Sequence, residues 1–188
     1  MRYLIVSLAV AVFALVFPSS IPAAGEEIRH RFSTSDDSYS FTGDFTIDAG
    51  KKCLLEMLYD PQRLRQYASH ADGVELADHG EGWQKIIYDY SSLFYHSRAT
   101  FMRRLDAEAD RINYRLTAIE QYGLISPDIS AISGYYQVSR EKEWCRVTFH
   151  QQGVIGNGML SGLYFYNAEK EAVAFLRNMQ RYAAENCH

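Results

Sequence analysis

Apolar and polar residues alternate along most of this chain, and the period of the alternation changes at a few places. Tyr39, Phe41, Gly43, Phe45 and Ile47 alternate with polar neighbours, the mark of a strand with one buried face. Asp48 then offers a cap for a short helix through Tyr59, in which Cys53, Leu54, Met57 and Leu58 recur at helical spacing. Pro61 suits the first position of a second short helix, running to about Ala68. From Gly73 the period returns to two and predicts strands near 74–79, 83–91, 95–105, 111–121, 131–140 and 143–154. Turn residues divide them at His79–Gly82, Ala107–Asp110 and Arg140–Glu143. The last segment is helical: Ala172, Phe175, Leu176, Met179, Tyr182 and Ala183 form one stripe, while Glu169, Lys170, Arg177, Arg181 and Glu185 turn away. Asn167 is its candidate cap, and residues 160–166 are able to extend it backward.

Seven consecutive antiparallel strands with one amphipathic helix predict a two-layer α+β domain, its sheet curling around the helix. One helix does not fill a strongly curved sheet, so a space is expected between them. Alternate strand residues and a helix stripe would line it, as in sites that take small apolar ligands.

The N-terminus follows different rules. Arg2 precedes a 15-residue apolar run, Tyr3 to Phe17, broken only by Ser7; Pro18 and small residues up to Ala23, Ala24 and Gly25 follow. That order is expected of a secretory signal peptide (1–25) cleaved near Ala23–Gly25, although retention as an anchor stays open. The run falls short of the ~20 residues of a membrane span. Residues 26–37 are polar without an apolar period and read as a flexible arm, and 38–188 as one domain. Composition agrees with a folded chain, 47% hydrophobic and 22% charged. The formal charge of −4 without a basic cluster argues against nucleic acid as a partner. Aromatic residues, at 14%, are numerous for a closed core of this size, which favours a partly open cavity.

The strand Phe41–Ile47, Asp48 with the helix carrying Leu54 and Leu58, and then Asp60-Pro61 resemble the opening of the START-like superfamily, the Bet v1-like or SRPBCC group. Gly134–Val138 looks like that group's penultimate strand. Leu176–Tyr182 is similar to its C-terminal helix, with a Leu-x-x-Leu/Met pattern at Leu176 and Met179. The resemblance covers about 39–187 and is one of order and pattern, without a catalytic signature. It implies a helix-grip fold: a curved seven-stranded sheet around the long helix, two short helices after the first strand, and a deep hydrophobic cavity. Members bind lipids, sterols, polyketides, ubiquinone or plant hormones, and some subfamilies are aromatases or cyclases. With export added, the resemblance implies a periplasmic or secreted carrier of a lipid or isoprenoid, non-enzymatic, without a cofactor, monomeric and touching membranes transiently. The alternative is a cyclase-, aromatase- or hydratase-like enzyme in the same cavity. In the helix-grip arrangement the long helix ends against the short ones, which would bring Cys187 near Cys53 for a disulfide and leave Cys145 as a buried thiol.

Aromatic residues are the leading lining candidates: Trp83, Tyr88, Phe101, Tyr135 and Tyr136 on strands, with Ala172, Phe175, Leu176 and Met179 on the helix stripe. Arg146 and His150 alternate with Trp144, Thr148 and Gln152, opposite Cys145, Val147 and Phe149. If the polar set faces inward, both are suited to hold a carboxylate or phosphate; if the apolar set does, both are surface residues. Arg103, Arg104 and Arg115 read as cross-strand partners of Asp106 or Glu120. Glu56 and Asp60 read as an exposed helix pair. His70, His79, His30 and His188 read as surface or terminal residues, and 156–158 as a flexible hinge. No metal-ligand spacing, nucleophile motif or phosphate loop appears.

Overall fold

The structure, a computed structural model, describes residues 27–68, 71–91, 95–123, 126–156 and 161–187. Two strands, β1 (Arg29–Ser35) and β2 (Ser38–Ile47), lead into the short helices α1 (Lys51–Tyr59) and α2 (Pro61–Tyr67). Then come β3 (Gly73–Gly80), β4 (Trp83–Ser91), β5 (Tyr95–Asp106), β6 (Arg111–Gly123), β7 (Ile129–Glu141) and β8 (Trp144–Ile155), followed by the long helix α3 (Ser161–Asn186). All strands join one antiparallel sheet in the order β1-β2-β8-β7-β6-β5-β4-β3.

The sheet has eight strands, not seven, and the added one comes from the segment expected to be a flexible arm. β1 is exposed except at Phe32, so it carries no alternation to read. Its backbone nevertheless pairs with β2 from Arg29↔Asp44 to Ser35↔Ser38, around a turn with Asp36 at φ 49°. Aspartate tolerates that left-handed conformation, which a two-residue hairpin requires. The segment before residue 38 is therefore part of the sheet, not a free arm. Asp48 does not cap α1, whose first turn follows Gly50 without a side-chain cap. Asp60 does cap α2, accepting from the Gln62 N–H at 2.8 Å ahead of Pro61. α3 begins at Ser161, ahead of Asn167. The signal-peptide segment with Ala23–Gly25, His70, residues 157–158 and His188 lie outside the described residues.

Alternation fixes which sheet face is inside. Phe41 and Phe45 of β2 and Cys145, Val147 and Phe149 of β8 are buried with Leu54, Met57, Leu58 and Leu64 of the short helices and Leu176 and Met179 of α3. α3 rests on β2, with lesser contacts to β1, β8 and α2. Its closest approach is at Gly43, where any Cβ would run into the Leu176 side chain. Beyond the last turn of α3, Cys187 is bonded to Cys53 of α1, Cα to Cα 5.6 Å, while Cys145 is a buried free thiol. The link closes a loop of sequence separation 134, for which chain entropy alone gives roughly 5 kcal/mol as an upper bound.

Replacing both Cys53 and Cys187 by Ser is expected to lower unfolding free energy by ~2–5 kcal/mol. Denaturant titration checks this; equal midpoints for the wild type and the double variant would remove the staple from the account of stability.

Candidate functional site

Because α3 lies over the β1-β2-β8 side of the sheet, the concave face of β4 to β7 is left partly uncovered. The result is a cavity of about 570 Å³ between sheet and helix. That lies within the ~300–1,000 Å³ of small-molecule pockets. Tyr88 and Tyr90 of β4, Phe101 of β5, Tyr114 of β6 and Tyr136 of β7 form its sheet wall, and Ala172 and Phe175 its helix wall. The rings pack on one another: Tyr136 stacks on Phe149 at 5.3 Å, Phe149 meets Phe175 at 5.3 Å, and Tyr88 meets Phe101 edge-on at 5.5 Å.

One end of the cavity lies where the sheet parts. The β6–β7 ladder runs only from Arg111↔Gln137 to Arg115↔Ser133 among the described residues, although both strands continue. Pro127, Ile129, Leu163 and Tyr164 line the cavity on that side, and the Gln121 side-chain amide donates to the Pro127 carbonyl at 2.6 Å. Leu163 and neighbouring Tyr166 are among the exposed large apolar residues.

The polar groups of the wall are mostly tyrosine hydroxyls, whose states follow from burial. The Tyr114 hydroxyl crosses β7 to donate toward the His150 carbonyl (3.1 Å) and Gln151 Oε1 (3.2 Å) on β8. It passes over Gly134, where a Cβ would strike the Tyr114 hydroxyl and the His150 carbonyl. Desolvation pushes the hydroxyls of Tyr88, Tyr114 and Tyr136 above the ordinary tyrosine range, and those of Tyr39 and Tyr95 up to about 12. These wall tyrosines are therefore neutral hydrogen-bonding groups near neutral pH.

Among the described residues Arg103 is the one wall cation, and its side chain is buried, with the residue 1% exposed. Nη1 donates to the Tyr59 carbonyl (3.2 Å) and Gln84 Oε1 (3.3 Å), and Nη2 donates to the Leu58 carbonyl. Leu58 and Tyr59 end α1, so the guanidinium occupies the negative end of that helix. The expected pairing with Asp106 or Glu120 is not what forms. The strand period puts Arg103 on the same face as Phe101, two residues away, but does not say which face is inward.

Of the candidates named from sequence, Tyr88, Phe101, Tyr136, Ala172 and Phe175 come together on the cavity wall. Leu176 and Met179 are fully buried beneath α3, in the core rather than on the wall. Trp83, Tyr135, Arg146 and His150 are outside it. The apolar set of β8 takes the inner face because Val147 and Phe149 gain most from leaving water, so the polar set faces out. There Arg146 pairs with Asp44 and with Glu141, each at 2.7 Å. His150 shares a hydrogen bond with Thr42 at 2.9 Å, and burial pushes its imidazole down. Tyr135 is flanked by His150 (5.1 Å) and by the Arg111 guanidinium (4.2 Å). Trp83 lies one residue out of phase with Gln84 and Ile86, which point inward, and covers Gly80. Glu56 pairs with Lys52 at 3.8 Å, so it and the capping residue Asp60 are engaged on the helix surface. Among the described residues no cluster of His, Cys, Asp and Glu is arranged to hold a metal ion.

No protein-family model and no curated protein matches the sequence. The fold is matched widely. A STAR-related lipid transfer protein fragment from Xanthomonas axonopodis aligns with TM-score 0.66 at 17% identity, over 84% of this chain and 93% of that one. An aromatase/cyclase from Streptomyces sp. R1128 aligns at 0.62 and 18% identity, over 84% and 94%. A major latex-like protein of Panax ginseng aligns at 0.54 and 15% identity, over 77% and 97%. The chain thus has the START-like, SRPBCC-type fold.

The raised tyrosine hydroxyls carry a pH dependence of fixed sign. Unfolded tyrosines ionise near pH ~10 and the buried ones only higher, so above ~10 the unfolded chain holds fewer protons than the folded one. Their contribution to stability is complete below ~10 and declines as pH rises toward the folded values. Denaturation midpoints at about pH 8 and about pH 11 are expected to differ, the alkaline one being lower, with tyrosinate absorbance appearing at the unfolding transition. Full tyrosine ionisation in the folded state would contradict the burial of these hydroxyls.

Proposed function

We propose that this chain is an exported, non-enzymatic carrier that holds one hydrophobic or amphipathic small molecule, a lipid or an isoprenoid, between its sheet and its long helix. The observation that carries the proposal is the aromatic-walled cavity of about 570 Å³, which the fold leaves open instead of closing with side chains. Apolar burial in such a space stabilises a ligand by ~25 cal/mol per Å² removed from water. The N-terminal charged, apolar and small-residue order supports export, and an exported protein with this fold is most economically read as moving an apolar molecule across an aqueous compartment. Access is proposed beside 126–130 and Leu163, where β6 and β7 part. Transient contact of that rim with a membrane fits its exposed Leu163 and Tyr166.

An enzymatic reading, a cyclase- or hydratase-like reaction in the same cavity, has Arg103, Glu171 and the wall tyrosines as its ionisable groups. A general acid–base pair works best with pKa values near the working pH. The wall tyrosines are displaced away from it, which favours carriage.

Ala172→Trp tests the cavity directly, because Ala172 is buried on the helix wall. The folded variant is expected to lose at least ~10-fold in affinity for an environment-sensitive fluorescent fatty-acid probe, with an unchanged circular dichroism spectrum. Undiminished uptake by a folded variant would put the ligand elsewhere.

A further inference from the structure

The cavity wall contains a cation whose partners among the described residues are all neutral. Arg103 touches two backbone carbonyls, the Gln84 amide oxygen and the faces of Tyr59 and Tyr136, its Cζ 5.9 and 6.0 Å from those ring centroids. A guanidinium has five N–H donors. Three are accounted for, and Nε, fully buried, has no partner. Two donors, Nε–H and one Nη2–H on neighbouring nitrogens of the fork, are thus left without a partner among the described residues. A buried charge is costly without an opposite charge, and the C-terminal dipole of α1 offsets only part of that cost. Around the same end of the cavity, the hydroxyls of Tyr88 and Tyr136 make no hydrogen bond to any described residue and remain protonated. On the opposite wall the carboxylate is Glu171 of α3, beside Tyr90 and Tyr95.

We infer that the cavity selects amphiphiles bearing a carboxylate, taken head first so that the carboxylate meets the free N–H groups of Arg103 while the hydrocarbon lies along Phe101, Tyr136, Phe149 and Phe175. The inference rests on the carrier reading and names its ligand class. The charge count sets the choice of anion. Two adjacent donors without a protein partner and neutral hydroxyls match a planar anion with two oxygens, and because Glu171 also lines the cavity, the single charge of a carboxylate costs less there than the two of a phosphate dianion. Arg103 sets the direction, since a cation stands at that end of the described lining and a carboxylate, Glu171, on the helix side.

Titration calorimetry of the wild-type protein with dodecanoate, methyl dodecanoate and dodecanol at about pH 8 separates the possibilities. The expected result is dodecanoate binding at least ~10-fold more tightly than either neutral probe, the range of a charged hydrogen bond. Arg103→Gln is expected to bring the three affinities within ~3-fold of one another, and Arg103→Lys to keep part of the preference, since lysine retains the charge but not the fork. Equal affinities in the wild type would overturn the carboxylate assignment and leave the carrier reading standing. No binding of any probe would overturn the carrier reading and this inference with it. Removing Arg103 also uncaps α1, so if the Gln variant does not fold, the comparison of probes on the wild type decides alone.

Discussion

A straight helix and a twisted sheet touch along only part of their lengths, and nearly everything in this molecule follows from where that contact is made. Here it is made at β2, where Gly43 lets Leu176 approach the backbone. The Cys53–Cys187 bond holds the far end of α3 against α1. Those contacts draw α3 over the β1-β2-β8 side of an eight-stranded sheet. The side chains beneath it form a core that continues through Ile86, Ile112 and Val138, while Tyr88, Phe101, Tyr114 and Tyr136 of β4 to β7 face a gap that the helix borders without filling. Core and cavity are thus two outcomes of one geometry rather than two separate features.

Arg103 joins them. Its strand position puts it on the inner face, and the nearest unsatisfied backbone groups are the carbonyls that end α1. A helix end buried without partners is unfavourable, so the guanidinium serves α1 as a side-chain cap while α1 offers it partial negative charge in return. The arrangement ties the short helices to the sheet and leaves two donors of the fork without a partner among the described residues. A leucine in that position would pack, yet it would orphan the helix carbonyls and leave the wall without a fixed charge.

The order of elements was legible because both periods are strong. The six strands from β3 to β8 and the helical stripe from Ala172 to Ala183 stand within a few residues of their expected places. The START-like resemblance brought Cys53 and Cys187 together, and they are bonded. β1 was not legible, since an exposed edge strand is held by backbone pairing and shows no apolar rhythm. The site was half legible. Alternation made Tyr88, Phe101 and Tyr136 lining candidates without deciding which face is inward, and an arginine near Asp106 of its own strand and Glu120 of the next looks like a surface ion pair. Only the α1 carbonyls, brought near by tertiary packing, explain why it is inside. For β8 the reverse held: His150 and Arg146 have the chemistry of a site, yet the pleat allows one set inside, and Val147 and Phe149 outweigh them.

The chemistry of the wall bears on whether the cavity holds a molecule or transforms one. Catalysis by proton transfer wants groups that change charge state near neutral pH. The wall offers tyrosines whose ionisation burial moves further away, and an arginine that stays charged. Such groups recognise without exchanging protons. Charge fixed at one end and apolar rings along the length orient an amphiphile and shield its hydrocarbon, which is what transport through water requires. In the carrier proposed here the same pairing would favour release. The anion gives up its own hydration to reach Arg103, so most of the binding energy comes from the tail, and release needs only that the tail find another apolar surface.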